Sequence, residues 1–388
     1  MKFIHTSDWH IGKIVNDRSM LADQEVVLHQ LIDDFKAIGP DLVIIAGDFY
    51  DRSLPSRDSV RLANDLIDRM MLELDCPVAI ISGNHDAGER IAYGARAYEQ
   101  QNVHLAGLPQ KVPQSLDLPG ARVYLLPYAD YQVIRELYQD PTIDSLEKAA
   151  AKQVQAITSQ ESFDPERLNL IVYHGYVTAS SLEEAGADLE ESESERPLSI
   201  GTTEYVPSRV FQDFDYLALG HLHGAQRVKG ENVRYSGSPL KYSKSEAHHH
   251  KQYLEVDLTK ERIQVTKHLI QPIHDVRVMK TSFDQALAGE SDDYIYFELT
   301  DPTPVHDGMN RLRENYPNIM NLEYLNIGQV SAQLQGKMTK EKLSRQVADP
   351  IELFSDFYQD MLGHSLTKGQ SQAVETAWLE AQKESETD

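Results

Sequence analysis

Five clusters of polar side chains in this 388-residue sequence can bind metal ions or transfer protons, and each cluster follows a short apolar run with at most three residues in between. In chain order the clusters are Asp8-Trp9-His10, Gly47-Asp48, Gly83-Asn84-His85-Asp86, His174-Gly175 and Gly220-His221-Leu222-His223. Oxygen and nitrogen ligands without thiolates suit manganese or iron and do not exclude zinc. Two carboxylates facing two divalent cations leave an excess of positive charge, which attracts a phosphodiester and acidifies a water molecule. The residue types therefore predict a two-metal centre that hydrolyses phosphoesters.

The apolar runs before these clusters would position them. They cover residues 3–4, 42–46, 78–81, 170–173 and 216–219, and their composition is typical of buried strands. Functional side chains in an open α/β sheet lie beyond the carboxyl ends of the strands. We therefore expect strands that are far apart in sequence to bring the clusters to one point. Taken singly, an Asp or Asn beside Gly is most often a turn former, but five clusters in this order make that interpretation remote.

At these residues the sequence resembles the calcineurin-like metallophosphoesterases, and over nearly its full length it resembles a bacterial DNA-nuclease branch of that superfamily. The narrower resemblance comes from residues 3–12, from Ser238-Pro239-Leu240 after Gly237, and from a small domain followed by a helical tail. It implies that Asp8, His10, Asp48 and His223 hold one ion, and that Asp48, Asn84, His174 and His221 hold the other. The resemblance also implies that the two ions are manganese.

His85 is the one histidine of the clusters that is not needed as a ligand. We expect it to steady the phosphoryl group or to protonate the leaving oxygen, which is typically worth on the order of 10²–10⁴ in rate. Asp51 and Asp86 are expected to orient histidines. Some relatives carry an assisting histidine where this chain has Asp51. The sequence leaves open which group takes over the role of that histidine here.

The sequence gives weaker indications of function for other charged residues near the clusters. Arg52 and Arg90 follow the second and third clusters and are expected to bind substrate, although ordinary solvated helix charge is an equally good interpretation for Arg90. The run His248-His249-His250 suggests a further metal site. Because adjacent residues near a strand start make poor chelators, we expect a solvated loop there instead.

The pattern of elements predicts the fold class. Amphipathic stretches at 21–38 and 60–74 predict helices between strands, and this alternation indicates a largely parallel sheet. Strands at 253–258 and 263–269 follow without helices, which predicts an antiparallel second sheet. The expected fold is α/β, a four-layer sandwich of two mixed sheets flanked by helices. The predicted domains are a nuclease domain at 1–272, a small α/β domain that caps DNA at 273–335, and C-terminal helices at 340–388.

Two segments have unusual composition. Residues 183–195 are strongly acidic, which predicts an exposed, mobile loop. We favour a solvated insertion over a lid as the role of this loop. The tail contains apolar side chains at helical spacing and a capping-box pair, Thr367 and Gln370. Its large side chains either pack on the core of this chain or dock on a partner, and we favour docking. These side chains are Leu353, Phe354, Phe357, Tyr358 and Trp378.

Charge and composition limit how the protein can act. The formal net charge of −24 opposes autonomous binding of DNA, because phosphate contacts depend on Lys and Arg. A hydrophobic content of 41% is ordinary for a soluble protein, and no run approaches the roughly 18 apolar residues of a membrane span. No secretory signal is visible at the start, and the single Cys76 cannot form an intrachain disulfide. A cytoplasmic location is therefore expected.

The leading functional hypothesis is a manganese-dependent DNA nuclease. The resemblance implies 3'–5' exonuclease activity on duplex ends, endonuclease activity on single strands and hairpins, and a role in DNA repair and recombination. It also implies a coiled-coil ATPase partner and a homodimer within a heterotetramer. The alternatives are a phosphatase or cyclic-nucleotide phosphodiesterase with the same metal centre, and a scaffold without activity. The seven intact ligands argue against the scaffold.

Overall fold

The computed structural model describes residues 1–179, 189–195, 205–325, 355, 358 and 366–385. The chain divides into two compact units, one formed by Met1–Glu298 and Asp307–Glu323, the other by Leu299–His306 and Tyr324–Asp388. Residues 183–188 of the acidic segment lie outside the described residues, as do Leu353, Phe354 and Phe357 of the tail.

The described strands and helices follow the predicted order closely. The strands are β1 (Lys2–Thr6), β2 (Ile14–Val15), β3 (Arg18–Ser19), β4 (Leu42–Ala46), β5 (Val78–Ile81), β6 (Val103–Ala106), β7 (Gln114–Leu118), β8 (Ala121–Leu126), β9 (Leu168–His174), β10 (Tyr176–Thr178), β11 (Tyr205–Pro207), β12 (Tyr216–Gly220), β13 (Gln226–Lys229), β14 (Val233–Tyr235), β15 (Gln252–Leu258), β16 (Ile263–Leu269), β17 (Val276–Thr281), β18 (Tyr294–Leu299) and β19 (Ile319–Tyr324). The helices are α1 (Leu21–Ile38), α2 (Arg57–Glu73), α3 (Gly88–Ile91), α4 (Ala95–Glu99), α5 (Tyr131–Tyr138), α6 (Leu146–Thr158), α7 (Phe283–Leu287), α8 (Gly308–Arg313) and α9 (Lys368–Ser385).

Two six-stranded sheets form the larger unit. The first has the order β16-β15-β1-β4-β5-β6, and the second has the order β13-β14-β12-β9-β8-β7. In the first sheet β1, β4, β5 and β6 are parallel. In the second, β8, β9, β12 and β14 are parallel, and β7 and β13 run antiparallel at the edges. Both sheets are therefore mixed, as predicted.

The predicted second sheet was wrong in one respect. The strands at 253–258 and 263–269 are β15 and β16, and they extend the first sheet instead of forming another. Lys2 of β1 pairs with Asp257 of β15 in antiparallel register. The physical reason is that β4 covers only one edge of β1, so the backbone groups along its other edge need a partner strand.

Three apolar layers hold the sandwich together. Between the sheets, Phe3 and Ile44 of the first sheet share a core with Val123 and Val172 of the second. A second core joins the outer face of the first sheet to α1 and α2, and a third joins the outer face of the second sheet to α6. Helices thus cover both outer faces, because each sheet is apolar on two sides and must bury both. The four-layer α/β fold is confirmed.

The region after the sandwich is a three-stranded sheet, β17-β18-β19, with α7 and α8. A capping box between Ser282 and Gln285 begins α7. The boundaries 273–335 of the predicted small domain stay a prediction, because most of its described residues belong to the larger compact unit.

The predicted capping box of the tail is present at the start of α9. The Thr367 and Gln370 side chains accept hydrogen bonds from each other's backbone amides at 3.4 and 2.9 Å. Gln370 also donates to the Tyr358 hydroxyl at 2.9 Å, and the Trp378 side chain is exposed. Within the part of the chain that the structure describes, no helix is both long and apolar enough to cross a membrane.

Candidate metal centre

The predicted ligands converge where the carboxyl ends of five strands meet. β1, β4 and β5 of the first sheet precede Asp8, Asp48 and Asn84, while β9 ends at His174 and β12 is followed by His221. The two sheets are joined here, because the His221 amide donates to both carboxylate oxygens of Asp8 at 3.0 and 3.2 Å. The structure therefore brings together side chains that are up to 215 residues apart in the sequence.

Four of the predicted ligands have an unusual backbone conformation. The φ angles are 54° at Asp8, 47° at His10, 47° at Asp48 and 113° at His221. Positive φ is disfavoured for residues with a Cβ and persists only where surrounding contacts enforce it. The Asp8 and His10 amides donate to the carbonyls of residues 47 and 48 at 3.0 and 2.9 Å, which holds the first two loops together. Strained backbone directs these side chains inward.

Three glycines are required by close approaches at the centre. A Cβ on Gly47 would lie 2.2 Å from Nδ1 of His174, and one on Gly83 would lie 2.1 Å from Oδ1 of Asp48. A Cβ on Gly220 would lie 1.8 Å from a backbone oxygen. The glycines of the sequence clusters therefore let neighbouring ligand loops approach one another.

The first group of ligand atoms contains Asp8, His10 and His223, whose donor atoms all lie within 4.8 Å of one another. The Nε2 atoms of His10 and His223 are 3.0 Å apart, and Nε2 of His10 is 3.6 Å from Oδ2 of Asp48. All four side chains are almost fully buried. The predicted members of the first ion site are thus together.

The second group is built around Asp48 and His174. Oδ2 of Asp48 is 3.4 Å from Nε2 of His174, and Oδ1 of Asn84 is 2.9 Å from the same nitrogen. Nδ1 of His221 lies 3.3 Å from Oδ1 of Asn84. Nδ1 of His174 donates to the carbonyl of Ala46 at 2.9 Å, so its Nε2 is directed at the group. Oδ2 of Asp48 is therefore close to both groups.

The donor chemistry fits divalent cations. Nδ1 of His223 contacts the Glu246 carboxylate at 3.2 Å and therefore carries a proton, which leaves a lone pair on Nε2. Nδ1 of His10 is directed at Asp51 Oδ1, 3.6 Å away, and the same assignment leaves a lone pair on Nε2 of His10. Two lone pairs facing each other at 3.0 Å repel unless a cation lies between them. Six buried ligand side chains and the half-buried Asn84 around such a point are the environment that a metal ion requires.

Burial and mutual charge shift the titration of these groups. Burial raises the pKa of Asp8 to about 6 and lowers the pKa of His221 to about 3. Burial alone would also raise the pKa of Asp48, but His174 outweighs it and holds that pKa well below its usual value. In turn, Asp48 overcomes burial and raises the pKa of His174 to about 9. These opposite shifts each favour the charged form, and the two side chains lie 3.4 Å apart.

His85 lies at the edge of the first group. Its backbone amide donates to Oδ1 of Asp48 at 2.8 Å, and its Nδ1 donates to the carbonyl oxygen of Asp51 at 2.8 Å. The rings of His85 and His10 are 4.6 Å apart. These contacts fix the His85 ring beside the ligands, and the donor atoms of His85, His10 and Asp51 also lie within 4.8 Å of one another.

The two flanking aspartates behave differently from each other. The Asp51 carboxylate lies 3.6 Å from Nδ1 of His10 and forms an ion pair with Lys13 at 2.9 Å, so it is placed to orient a histidine. The Asp86 carboxylate accepts hydrogen bonds from the backbone amides of Phe49, Tyr50 and Gly83 at 2.8–3.0 Å. Among the described contacts, Asp86 therefore connects two ligand loops and does not orient a histidine.

The predicted substrate-binding arginines are both exposed. Nε of Arg52 lies 3.5 Å from the Asp51 carboxylate, which places Arg52 beside the centre. Arg90 lies on α3 and lines a separate, mostly apolar cavity with Tyr50 and Leu54. The structure therefore brings Arg52 to the site more directly than Arg90.

Sequence reasoning missed a network behind His223. The buried Glu246 accepts from Nδ1 of His223 at 3.2 Å and from Nζ of the buried Lys251 at 2.6 Å. Ser194 contacts Nδ1 of His223 at 2.7 Å, and Glu195 accepts from the His223 amide at 2.7 Å. No motif marks any of these residues. Within the described part of the acidic segment, Ser194 and Glu195 contact the ligand His223, whereas Glu190, Glu191 and Glu193 are exposed, as a solvated insertion predicts.

Comparisons with known proteins identify the family. Residues 1–225 match the family described as calcineurin-like phosphoesterase, and residues 272–361 match the type 5 capsule protein repressor C-terminal domain. The chain is 30% identical over 380 residues to a Staphylococcus epidermidis protein named as the D subunit of nuclease SbcCD, covering 96% of this chain and 97% of that protein. The structure of a dimetal phosphatase from Danio rerio matches 70% of this chain and 98% of its own at 12% identity and a TM-score of 0.39.

The chain therefore belongs to the calcineurin-like phosphoesterases and is a metal-dependent phosphoester hydrolase. Within this family, it is a homologue of the SbcD nuclease subunit.

Proposed function

We propose that this chain is the nuclease subunit of an SbcCD-type complex, a manganese-dependent DNA nuclease that acts with an SbcC-type coiled-coil ATPase. The observation that carries the proposal is the match to the staphylococcal nuclease subunit, which extends over nearly the full length of both chains. The match therefore includes the tail region as well as the phosphoesterase domain, whereas a phosphatase would need only the latter.

In this proposal Asp8, His10, Asp48 and His223 hold one ion, and Asp48, Asn84, His174 and His221 hold the other. The proximity of Oδ2 of Asp48 to Nε2 of both His10 and His174 supports a bridging role for that oxygen. Manganese is proposed because the ligands are carboxylate, amide and imidazole groups. When bound, the ions supply Lewis-acid stabilisation of phosphoryl charge and acidify the attacking water.

The residues of the chain itself orient the substrate and move the proton. His85 is proposed to hold the transferable proton at Nε2, because its Nδ1 already donates to the Asp51 carbonyl and its amide is anchored on Asp48. Arg52, whose side chain is more than half exposed beside Asp51, is proposed to contact a phosphate of the incoming strand. Arg90 is proposed to contact a more distant part of the substrate.

The ATPase partner would supply positive surface for duplex DNA, since the net charge of this chain is −24. The tail at 340–388 is proposed as the docking segment, and the exposed Trp378 of α9 supports this role. The domain at 273–335 is proposed to cap the DNA. We also propose that two copies of this chain form a homodimer within a heterotetramer, and that the protein is located in the cytoplasm.

The test measures cleavage of defined substrates by purified protein with manganese, with and without the ATPase subunit. The substrates are end-labelled linear duplex, hairpin-ended duplex, single-stranded DNA, a phosphomonoester and a cyclic nucleotide. We expect cleavage of single-stranded and hairpin DNA by the chain alone and ATP-dependent degradation of long duplex by the complex. Turnover of the phosphomonoester or cyclic nucleotide without any cleavage of DNA would reject the nuclease assignment.

Asp48→Asn is the control for this experiment. It removes a negative ligand that both ions share, so metal content and cleavage should be lost together. Metal analysis of the purified variant accompanies the assay. A variant that retains two tightly bound ions and normal turnover would contradict the assignment of Asp48.

A further inference from the structure

A second cluster of metal-ligand side chains lies outside the centre described above. It consists of Glu190, His248 and His249, whose donor atoms lie within 4.8 Å of one another. Oε1 of Glu190 is 2.6 Å from Nε2 of His248 and 3.7 Å from Nε2 of His249. We refer to these three residues as the surface triad. Both imidazoles direct the same type of nitrogen at one carboxylate oxygen, although the residues are adjacent in sequence.

Local backbone geometry makes this convergence feasible. A 3₁₀ turn at Lys244–His248 ends at His249, whose ψ of 144° is extended. The change from turn to extended backbone brings two adjacent rings to one side, and their centroids are 4.8 Å apart in an edge-to-face arrangement. In a strand, by contrast, successive side chains point to opposite faces. The expectation that adjacency makes these histidines poor chelators stays a prediction.

The distances are close to those of a zinc site. Zinc bonds of about 2.0–2.1 Å in tetrahedral geometry place two ligand atoms about 3.3 Å apart. The observed separations of 2.6 and 3.7 Å lie on either side of that value. Since the side chains of His248 and Glu190 are more than half exposed, they can adjust at little cost. Two imidazoles and one carboxylate with an open fourth position are an established zinc donor set.

His249 is the most constrained member of the triad. Its side chain is only 8% exposed, and its Nε2 faces Glu190. Its Nδ1 lies 3.4 Å from Nζ of Lys251, whose three N–H groups are directed at the His223 carbonyl, Ser238 and Glu246. Metal binding at Nε2 therefore requires the ring proton to be on Nδ1. Burial, reinforced by Lys251, lowers the pKa of His249 to about 4. The imidazole is therefore neutral near pH 7, as a metal ligand must be.

The surface triad joins two segments that contact the ligand His223. Glu190 belongs to residues 189–195, and Ser194 of this segment contacts Nδ1 of His223. His248 and His249 belong to the turn that contains Glu246, the other partner of that nitrogen. A further contact joins the two segments, because the Glu193 amide donates to Oγ of Ser245 at 3.0 Å. An ion held by the triad would fasten residues 189–195 to this turn.

We propose that Glu190, His248 and His249 form a second, separate transition-metal site that takes zinc and clamps residues 189–195 over the metal centre. The site is distinct from the seven ligands of the centre and does not depend on the nuclease assignment. The proposed role of the ion is to join the two segments, and three protein ligands would leave a fourth coordination position open to solvent.

The first test is a zinc titration of full-length protein from which any purification tag has been removed. Wild type is compared with His248→Ala and Glu190→Gln, and the control is His250→Ala, which changes an exposed neighbouring histidine outside the triad. We expect wild type and His250→Ala to bind one more equivalent of zinc than the two triad variants. All four proteins keep the seven ligands of the metal centre. Zinc bound at the centre therefore adds the same number of equivalents to each protein and does not affect the comparison. Equal stoichiometry and affinity in all four would overturn the proposal.

The second test measures amide hydrogen exchange of residues 189–195 with and without zinc. The clamp predicts that zinc slows exchange there more in wild type and in His250→Ala than in His248→Ala, in which only zinc at the centre can act on these residues through His223. An extra zinc ion that binds to wild type without slowing this exchange would overturn the clamp. Neither measurement uses phosphoesterase activity, so failure of this proposal can be distinguished from failure of the proposed function.

Discussion

Glu246→Gln tests whether the buried network behind His223 tunes the metal centre. The substitution keeps the size of the side chain and a hydrogen-bond acceptor, but it removes the charge that faces Nδ1 of His223 and Nζ of Lys251. Loss of a partner that orients a metal-bound histidine typically weakens metal binding by about 10–100-fold. This corresponds to about 1.4–2.8 kcal/mol at the first ion site. We expect a loss of manganese affinity in that range.

The same substitution should also lower stability. Breaking a buried ion pair costs about 3–5 kcal/mol when one charge is left without partners. Lys251 keeps hydrogen bonds to the His223 carbonyl at 2.9 Å and to Oγ of Ser238 at 2.8 Å, so the cost should fall below that range. Urea unfolding of the metal-free protein measures it. Manganese affinity is measured separately by calorimetric titration, so that the two effects are not confused.

Glu255→Gln is the matched control. Glu255 also pairs with a histidine and a lysine, His268 at 2.7 Å and Lys2 at 3.5 Å, but neither partner is a predicted ligand. The control should lose some stability and keep wild-type manganese affinity. If Glu246→Gln bound manganese as tightly as Glu255→Gln does, the network would have only a structural role and the reasoning would be refuted.

Three further predictions follow from the structure. His85→Ala should retain metal and DNA binding while the rate of cleavage falls by roughly two to four orders of magnitude. Metal content, DNA binding and turnover of the variant are measured in parallel. Unchanged turnover would remove His85 from the mechanism. Deletion of residues 350–388 should leave a folded protein that cleaves single-stranded DNA but no longer co-purifies with the ATPase; a large drop in melting temperature would instead mean that the tail packs on this chain. Burial lowers the pKa of His5 to about 3, so the folded state binds fewer protons than the unfolded state and stability falls as the pH drops from about 6.5 towards 3. In His5→Gln this fall should be shallower by up to about 1.4 kcal/mol per pH unit, as measured by urea unfolding across that range, and identical slopes would contradict the prediction.

The metal centre could be predicted from the sequence because its signals are local. Each ligand lies at the end of an apolar strand or within four residues after it, and glycines mark the loops that approach one another, so the sequence alone placed Asp8, Asp48 and His174 at one point. Helix α1 was predicted with the bounds that the structure shows, because an apolar face and a terminal glycine define it within a single segment.

Contacts between distant segments could not be predicted in this way. The pairing of β15 with β1 depends on which edge of the first sheet is left open, and alternation of side chains along β15 does not specify its partner. Glu246 and Ser194 reach His223 from segments that have no recognisable motif. Likewise, the convergence of His248 and His249 on Glu190 depends on a turn and on a segment more than fifty residues earlier in the chain.

The amino-acid sequence by itself thus determined the ligand types, the strands that carry them and the class of chemistry, since these depend on residue identity and short-range periodicity. Only the tertiary structure decided what surrounds the ligands: the charge behind His223, the backbone partners of Asp86 and the packing of residues 189–195. The physical reason is that burial and hydrogen bonding between remote segments depend on how the whole chain packs, and local sequence patterns do not specify which segments pack together.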